Sequence, residues 1–450
     1  MVKMPWRFKN MCSQSLILKE ILNKTIREME EISSLFVINP STNFSRNRVF
    51  TFSETIKALL GMRGNTLDKE LDDYFDTAGG YATSSAFVQQ RNKILPIAFE
   101  YLFHEVNEQC EYYDIKTYEG YHLYAVDGSD LNIYYDESAE SFFTNGNNKG
   151  FNQLHMNCLY DVLNDTYKDC IIQPSPKTNE TKSAWQMVER SHMPLKSILM
   201  GDRGYESMNL IEHCKRAGID ICIRVKEDWI REIATLPMEE FDKELSFELR
   251  QTQSKQDKID YKNGDAKYIS GKSKFGKYKK SQTWDFELPY KFSIRIVRFK
   301  KPDGEYETIA TTLNRFMFPA YKLCEMYHLR WNEETSFRQL KYNLSLVNLH
   351  SRKEESIKQE IFARLTMFNF VSRISSLVVV RPRKENNKHV YRINFTMAVQ
   401  HCIKFFRYRG DAPPDVCKKI RRYIRPDRPG RSDTRKIKPK TAVYFMYRVA

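Results

Sequence analysis

One segment of the chain places four polar side chains at spacings that suit a helix face. Residues 319–343 read PAYKLCEMYHLRWNEETSFRQLKYN, a pattern that predicts one long helix. Within it, Tyr327, Arg330, Glu334 and Lys341 follow one another at offsets of 3, 4 and 7 residues. Because a helix turns by about 100° per residue, these side chains fall within an arc of roughly 60°. A carboxylate flanked by cations on one helix face could bind a metal ion and hold a phosphate beside it.

Two further acids occur in strand-like contexts. Asp127 lies within the β-rich run YHLYAVDGSDLNIYY, and Asp202 ends the strand predicted for SILMGDRGYES. Sites of α/β proteins usually open at the carboxyl ends of strands. A carboxylate in a strand is costly to bury unless it is paired or coordinated, so both aspartates join Glu334 as candidate metal ligands. A structural salt bridge or a strand-end turn explains each aspartate equally well on spacing alone.

The chemistry of this acid set favours a hard metal ion. Two divalent cations about 4 Å apart need a few converging carboxylates. Mg²⁺ prefers carboxylates, waters and phosphate oxygens, and few histidines surround these acids, which favours Mg²⁺ or Mn²⁺ over zinc. Asp130 is a rival of Asp127, but residues three apart on a strand point to opposite faces, so the two cannot serve equally.

The elements that must position these acids follow from hydrophobic periodicity. Residues 1–115 are predicted to be helical, either as a small DNA-binding domain or as a plain helical bundle. Residues 116–228 read as strands followed by alternating helices and strands, and residues 229–290 as a β-rich insertion. Residues 291–380 hold two strong strands, the Glu334 helix and a second, apolar helix. The predicted fold is an α/β protein whose mixed sheet is flanked by helices.

The positive charge of the chain is concentrated near its carboxyl end. The formal net charge is +15, and residues 381–450 hold 20 Lys and Arg against 5 Asp and Glu. A basic helical C-terminal segment beside a balanced body favours a polyanion partner, although a solvated tail that aids solubility is the plain alternative. The nine cysteines include no CxxC pair, which fits reduced thiols in a cytosolic protein. No apolar run suggests a signal peptide or a membrane span.

The motifs AVDGSD and GDRGY, with the spacing Tyr-x₂-Arg-x₃-Glu-x₆-Lys, resemble those of a known enzyme family. They are similar to the signature of bacterial insertion-sequence transposases of the DDE type, in the branch marked by the Y-R-E-K motif. The resemblance covers nearly the whole chain, including the N-terminal helices, the insertion before the last acid and the tail RPGRSDTRKIKPK. It implies a ribonuclease-H-like catalytic core that cleaves the ends of its own element and joins their 3′-hydroxyls to target DNA, by a cut-and-paste route.

The resemblance also implies roles for individual residues. Its catalytic and metal-binding triad would be Asp127, Asp202 and Glu334, with Mg²⁺ as the cofactor and Mn²⁺ as a substitute. Its contacts to DNA phosphates would come from the other three residues of the helix motif, Tyr327, Arg330 and Lys341. The partners would be the terminal inverted repeats and target DNA, bound by a homodimer in a synaptic complex in the bacterial cytoplasm, at the nucleoid.

Several residues near the motifs have two interpretations. Arg203 and Tyr205, beside Asp202, either support the metal ligands or are ordinary loop residues. Aromatic residues in or near the insertion, and one beside Arg330, could hold a flipped base during hairpin formation or simply pack: Trp284, Tyr290, Tyr306 and Trp331.

Three other functions compete with a transposase. The chain could be a transposase-derived DNA-binding protein without catalysis, a metal-dependent DNA nuclease that cuts without joining, or a structural basic protein. The presence of all three acids argues against the first of these.

Overall fold

The computed structural model describes residues 6–46, 48–110, 115–144, 150–269, 284–301, 304–380 and 390–426. The helices, labelled α1 to α14 in chain order, are Trp6–Glu31, Phe52–Gly61, Leu67–Ala78, Ser84–Arg91, Ile97–Cys110, Glu180–Arg190, Met208–Arg216, Arg231–Ala234, Lys255–Asn263, Ala320–His328, Trp331–Arg338, Glu354–Ser376, Phe395–Arg407 and Val416–Arg421. The strands, labelled β1 to β12, are His122–Ile133, Phe142–Phe143, Phe151–Asp161, Thr166–Pro174, Ser197–Gly201, Asp220–Arg224, Phe241–Arg250, Ala266–Tyr268, Tyr290–Lys300, Tyr306–Thr311, Tyr391–Ile393 and Ile424–Pro426.

A ten-stranded mixed sheet forms the centre of the molecule. Its first part has the order β4-β3-β1-β5-β6, in which β1, β3 and β4 form an antiparallel meander. Strands β5 and β6 then run parallel to β1, with a helix preceding each of them. This is the ribonuclease-H-like arrangement, so the predicted fold class is confirmed.

The predicted insertion extends the same sheet. Strand β10 pairs with β6, β9 with β10, β7 with β9, and β8 with β7. The region predicted as β-rich also contains the two helices α8 and α9. Its lysine-rich stretch KSKFGKYKK lies outside the described residues. The strong strands predicted after the insertion are confirmed as β9 and β10.

Both faces of the sheet are covered by helices, which explains the nearly continuous apolar runs of its strands. Along β1, Leu123 and Ala125 face one hydrophobic cluster, together with α1 to α5, α11 and α12. Tyr124 and Val126 face the other cluster, together with α6 and α7. Side chains alternate along a strand, so Asp127 points to the side of α11.

A buried ion pair joins the N-terminal helices to the long helix α12. Arg91 Nη1 lies 3.0 Å from a carboxylate oxygen of Glu360, and both side chains are buried. Arg364, one turn along α12, donates to backbone carbonyls of α2 and the turn that follows it. Burial opposes ionisation of Glu360, but Arg91 and His350 prevail and lower its pKa to about 2. DNA binding by the N-terminal helices remains a prediction.

The prediction of one uninterrupted helix over residues 319–343 is wrong. Helix α10 ends at His328, α11 begins at Trp331, and a π-helical turn, Gln339–Asn343, follows. At the junction, backbone N–H groups donate to the carbonyl oxygen three residues earlier in the chain, as Arg330 does to Tyr327. This tightening, and the wider π turn after it, change the angular spacing on which the predicted stripe depends.

The basic C-terminal segment is described as far as residue 426. It forms α13, α14 and the small antiparallel pair β11–β12. The tail RPGRSDTRKIKPK lies outside the described residues. Within the described part of the chain, no helix is both long and apolar enough to span a membrane.

Candidate active site

The two aspartates lie at equivalent positions on neighbouring strands. Strand β1 pairs in parallel with β5, and the last matched pair is Val126 and Gly201. Asp127 and Asp202 follow that pair directly, on strands that run about 4.8 Å apart in a sheet. The register of the sheet therefore places the two carboxylates side by side at the end of β5.

The carboxylate of each aspartate accepts a hydrogen bond from the N–H of a glycine that follows it closely in the chain. The backbone N–H of Gly128 donates to Asp127 Oδ1 at 2.8 Å. The N–H of Gly204 donates in the same way to Asp202 Oδ1 at 2.7 Å. These two bonds fix the direction in which the carboxylates leave the sheet.

Asp127 has a perturbed ionisation. Burial raises the pKa of Asp127 to about 6, and the negative charges of Asp202 and Glu334 act in the same direction. The bond from Gly128 and the charge of Arg330 oppose the rise. Crowded carboxylates in a desolvated site are an arrangement that a bound cation would relieve.

Arg330 links the helix acid to the sheet acid. Its side chain is 4% exposed, with Nη1 3.9 Å from Asp127 Oδ2 and Nη2 3.3 Å from Glu334 Oε1. Burial acts to lower the pKa of Arg330, but Tyr327, Asp127 and Glu334 raise it. The guanidinium therefore stays charged and brings Glu334 to the aspartates although these acids are far apart in the sequence.

Tyr327 has a partner inside the protein. It is buried, and its hydroxyl donates to the carbonyl oxygen of Gly201 at 3.1 Å. Burial raises the pKa of Tyr327. The bond fixes α10 to the end of β5, one residue before Asp202, and contact of Tyr327 with DNA remains a prediction.

Lys341 lies on the π-helical turn and reaches back to β1. Its ammonium group donates to the backbone carbonyl of Asp130 at 2.7 Å. Burial lowers the pKa of Lys341, while Asp130 opposes this effect. Lys341 thus lies close to the strand that carries Asp127, and its contact with a DNA phosphate remains a prediction.

The residues beside Asp202 and Arg330 have different surroundings. Arg203 begins a 3₁₀ turn, and Tyr205, which ends it, is 1% exposed and packs against Gly201. Trp331 is 47% exposed, and the Arg330 guanidinium lies 5.2 Å from its ring centroid. Trp331 is therefore the aromatic residue that the structure places at the site with an open face.

The aromatic candidates of the insertion lie elsewhere. Trp284 packs in an aromatic cluster, with ring centroids 5.1 Å from Tyr290 and 5.2 Å from Phe286. Tyr306 begins β10, where its ring lies near Lys300. Neither group contacts Arg330 or the three acids through any interaction of the described residues.

Glu333 is an acid at the site that the sequence reasoning missed. It is fully buried, and neither carboxylate oxygen has a hydrogen-bond partner among the described residues. Burial, followed by the charge of Asp127, raises the pKa of Glu333 well above its usual value. The acidic pair Glu333–Glu334 was a visible signal. Which member faces the sheet depends on the tightened turn at Arg330, which the sequence did not reveal.

Asp130, the rival of Asp127, has a different role. Its Oδ1 lies 2.7 Å from Nδ1 of His155, on the other side of β1 from α11. His155 also contacts Glu180, which begins α6, at 3.3 Å between Nε2 and Oε1. Neither His155 nor Glu180 was singled out in the sequence, because their proximity depends on strand pairing and helix packing.

The residues present suit a hard divalent cation. Asp127 and Asp202 are adjacent, and Arg330 lies between Asp127 and Glu334. All three acids offer carboxylate oxygens, the ligands that Mg²⁺ and Mn²⁺ prefer. Within the described ranges, no three His, Cys, Asp or Glu side chains form a ready-made metal cluster. Arg330 lies between Asp127 and Glu334, which keeps the third acid on the guanidinium.

Comparisons with known proteins identify a family and similar solved structures. The model of the family described as transposase DDE domain matches residues 118–370. The chain is similar to a cryo-EM structure of the piggyBac transposase synaptic complex with hairpin DNA, with 11% identity and a TM-score of 0.45, over 93% of this chain and 87% of that one. A likeness of this degree assigns no activity or partner to the chain. No curated protein matches it.

Proposed function

Because the chain belongs to the transposase DDE domain family, we propose that it cleaves the ends of its own insertion element and joins their 3′-hydroxyls to target DNA. The observation that carries the proposal is that Arg330 contacts both Asp127 and Glu334, while Asp202 follows the end of β5, the strand next to that of Asp127. We further propose that it belongs to the bacterial Y-R-E-K branch, as its motifs suggest, and moves its element by a cut-and-paste route.

The three acids would hold the metal ions of the reaction. Asp127, Asp202 and Glu334 offer carboxylate oxygens at one end of the sheet, in the chemistry that Mg²⁺ prefers and Mn²⁺ accepts. Such ions, when bound, would activate a water or a DNA 3′-hydroxyl and stabilise the leaving oxygen of an in-line displacement. The hydrogen bonds from the N–H groups of Gly128 and Gly204 orient the two aspartate carboxylates for this role.

The cations of the site would hold the DNA backbone. Arg330 keeps an Nε–H group without a partner among the described residues, and a guanidinium donates well to phosphate oxygens. Lys341 adds a positive charge near β1, and Tyr327 a phenol that fixes the helix beside Asp202. The open ring of Trp331 is suited to stacking against a base next to the scissile phosphate.

The wider surface would bind the rest of the element end. The net charge of +15, which equals the excess of basic residues in 381–450, supports a DNA partner through phosphate neutralisation. The N-terminal helices are the proposed reader of the terminal repeats. The proposed assembly is a homodimer that brings two ends together, in the bacterial cytoplasm at the nucleoid.

Cleavage of the DNA that flanks the gene tests this function. A plasmid carrying both flanks, incubated with the purified protein and Mg²⁺, should be cut at the two element ends, and EDTA should abolish cutting. A plasmid with the flanks replaced by unrelated sequence is the control. Cutting of both plasmids alike would indicate a nuclease, and binding without cutting in Mg²⁺ or Mn²⁺ would indicate a DNA-binding protein without catalysis.

A further inference from the structure

A histidine and two carboxylates lie behind Asp127–Gly128 and Asp202–Gly204, on the α6 side of the sheet. We call these two stretches of chain the aspartate–glycine segments. His155 on β3 is 7% exposed and contacts Asp130 of β1 and Glu180 of α6 at 2.7 and 3.3 Å. We call Asp130, His155 and Glu180 the back array. None of them belongs to the acid set proposed above.

The back array fills the space between the two aspartate–glycine segments. A Cβ atom added to Gly128 would lie 2.3 Å from His155 Nε2 and 3.0 Å from Glu180 Oε1. A Cβ atom added to Gly204 would lie 3.4 Å from Glu180 Oε2. The Glu180 carboxylate therefore rests against both glycines whose N–H groups donate to Asp127 and Asp202.

The same array reaches the proposed phosphate-binding side. The carbonyl oxygen of Asp130 accepts the hydrogen bond of Lys341 at 2.7 Å, while its carboxylate holds His155. A continuous set of contacts thus runs from the Lys341 ammonium through β1 to the turn of Asp202.

The charge of His155 matters as much as its place. Burial opposes protonation, but Asp130 and Glu180 outweigh it and raise the pKa of His155 to about 9. The imidazolium therefore compensates Glu180 at neutral pH. Without it, the negative charge of Glu180 would act on Asp127 and Asp202, which already crowd each other, without the opposing charge of His155.

We propose that the back array positions the two aspartate–glycine segments: Glu180 sets their spacing, and His155 offsets the charge of Glu180 and links it to Asp130 on β1. These are positioning residues, because the described contacts place them against the glycines and not at the reacting groups. The part of the proposal that concerns DNA cleavage rests on the proposed function. The part that concerns the positions of the aspartate–glycine segments does not rest on the proposed function.

A double-mutant cycle that removes the charges of His155 and Glu180 tests the array. His155→Gln should lower kcat for cleavage by about 10- to 100-fold, the range found for residues that orient metal ligands, with KM for DNA unchanged. Glu180→Gln introduced into that variant should recover most of the loss, since it removes the negative charge that His155 offsets and keeps the shape of the side chain. A double variant no more active than His155→Gln would overturn charge compensation.

Amide hydrogen exchange gives a readout that needs no activity. Peptides that contain Gly128 and Gly204 should exchange faster in His155→Gln than in the wild type, and slow again in the double variant. Unchanged exchange in His155→Gln would overturn the positioning role. The expected exchange pattern in a protein that cleaves no DNA would support the array and count against the proposed function.

His213 provides a matched control. It also lies between two carboxylates, 3.1 Å from Glu189 and 3.0 Å from Asp285, but on α7, stacked on Trp185. His213→Gln should leave kcat and the exchange of both glycine peptides close to wild type. Equal losses in the two histidine variants would mean general destabilisation and would overturn the specific role of His155.

Discussion

Replacement of Asp127, Asp202 or Glu334 by its amide should lower DNA cleavage by about 10³-fold or more. Metal-ion stabilisation of a transferring phosphoryl group is worth several kcal/mol, and about 1.4 kcal/mol corresponds to a factor of ten in rate. Each amide keeps the shape of its acid and removes a negative charge that a cation needs. Cleavage rates of flanking DNA in Mg²⁺ measure the loss.

The same three variants should still bind the DNA. The proposed phosphate contacts come from cations, and removal of a nearby carboxylate does not weaken them. Electrophoretic mobility or fluorescence anisotropy with end DNA measures this. Matched controls are Asp136→Asn, in the exposed turn after β1, and Glu325→Gln, on the open face of α10, which should cleave as the wild type does. Cleavage at wild-type rates by any triad variant would contradict the assignment of that acid.

Glu360→Gln should destabilise the protein by about 3–5 kcal/mol, the usual cost of removing one partner of a buried ion pair. Arg91 lies 3.0 Å from Glu360, and both side chains are almost fully buried. The amide would leave Arg91 and the neighbouring Arg364 without their counter-charge between α12 and the N-terminal helices. Urea unfolding at pH 7 measures the difference.

The loss should depend on pH with a defined sign. The pKa of Glu360 falls from an ordinary value of 4.5 to about 2 in the folded protein. The stabilisation is therefore complete above pH 4.5 and lost as the pH falls through 2, so the wild type and Glu360→Gln should converge in acid. Glu355→Gln is the control, because Glu355 pairs with Lys358 on the surface of the same helix. Equal stability of Glu360→Gln and Glu355→Gln at pH 7 would contradict the predicted contribution of the buried pair.

Local pattern was sufficient to predict the strands that position the two aspartates. The strand of Asp127 and the strand ending before Asp202 are confirmed as β1 and β5. Buried strands can be recognised because they are short apolar runs bounded by turn residues. What the pattern lacks is pairing. The register of Val126 with Gly201, which makes the aspartates neighbours, joins segments far apart in the chain and depends on packing of the whole sheet.

The helix of the motif shows a second limit. Arithmetic at about 100° per residue puts Tyr327 and Glu334 on one stripe. In the structure, the tightened turn at Arg330 buries Tyr327 against Gly201 and leaves Glu334 on the guanidinium. Glu333 became the fully buried member of its acidic pair for the same reason. Spacing identified the residues, but tertiary contacts decided which way each one faces.

The insertion and the back array show the third limit. The insertion was predicted as a β-rich stretch within the α/β domain, but the sequence did not reveal that β7 and β8 continue the central sheet through β9 and β10. His155 and Glu180 lie in ordinary strand and helix contexts. Only the pairing of β1 with β3 and the packing of α6 bring them next to Gly128 and Gly204.

Joining of a pre-cleaved DNA end is the most direct test of the central claim. A duplex of the element end with a free 3′-hydroxyl, mixed with the protein, Mg²⁺ and a target plasmid, should become covalently attached to the plasmid. The attachment should be lost in Asp127→Asn, Asp202→Asn and Glu334→Gln. A protein that cuts the flanking DNA in Mg²⁺ but never joins this end to the plasmid would contradict a transposase and indicate a nuclease.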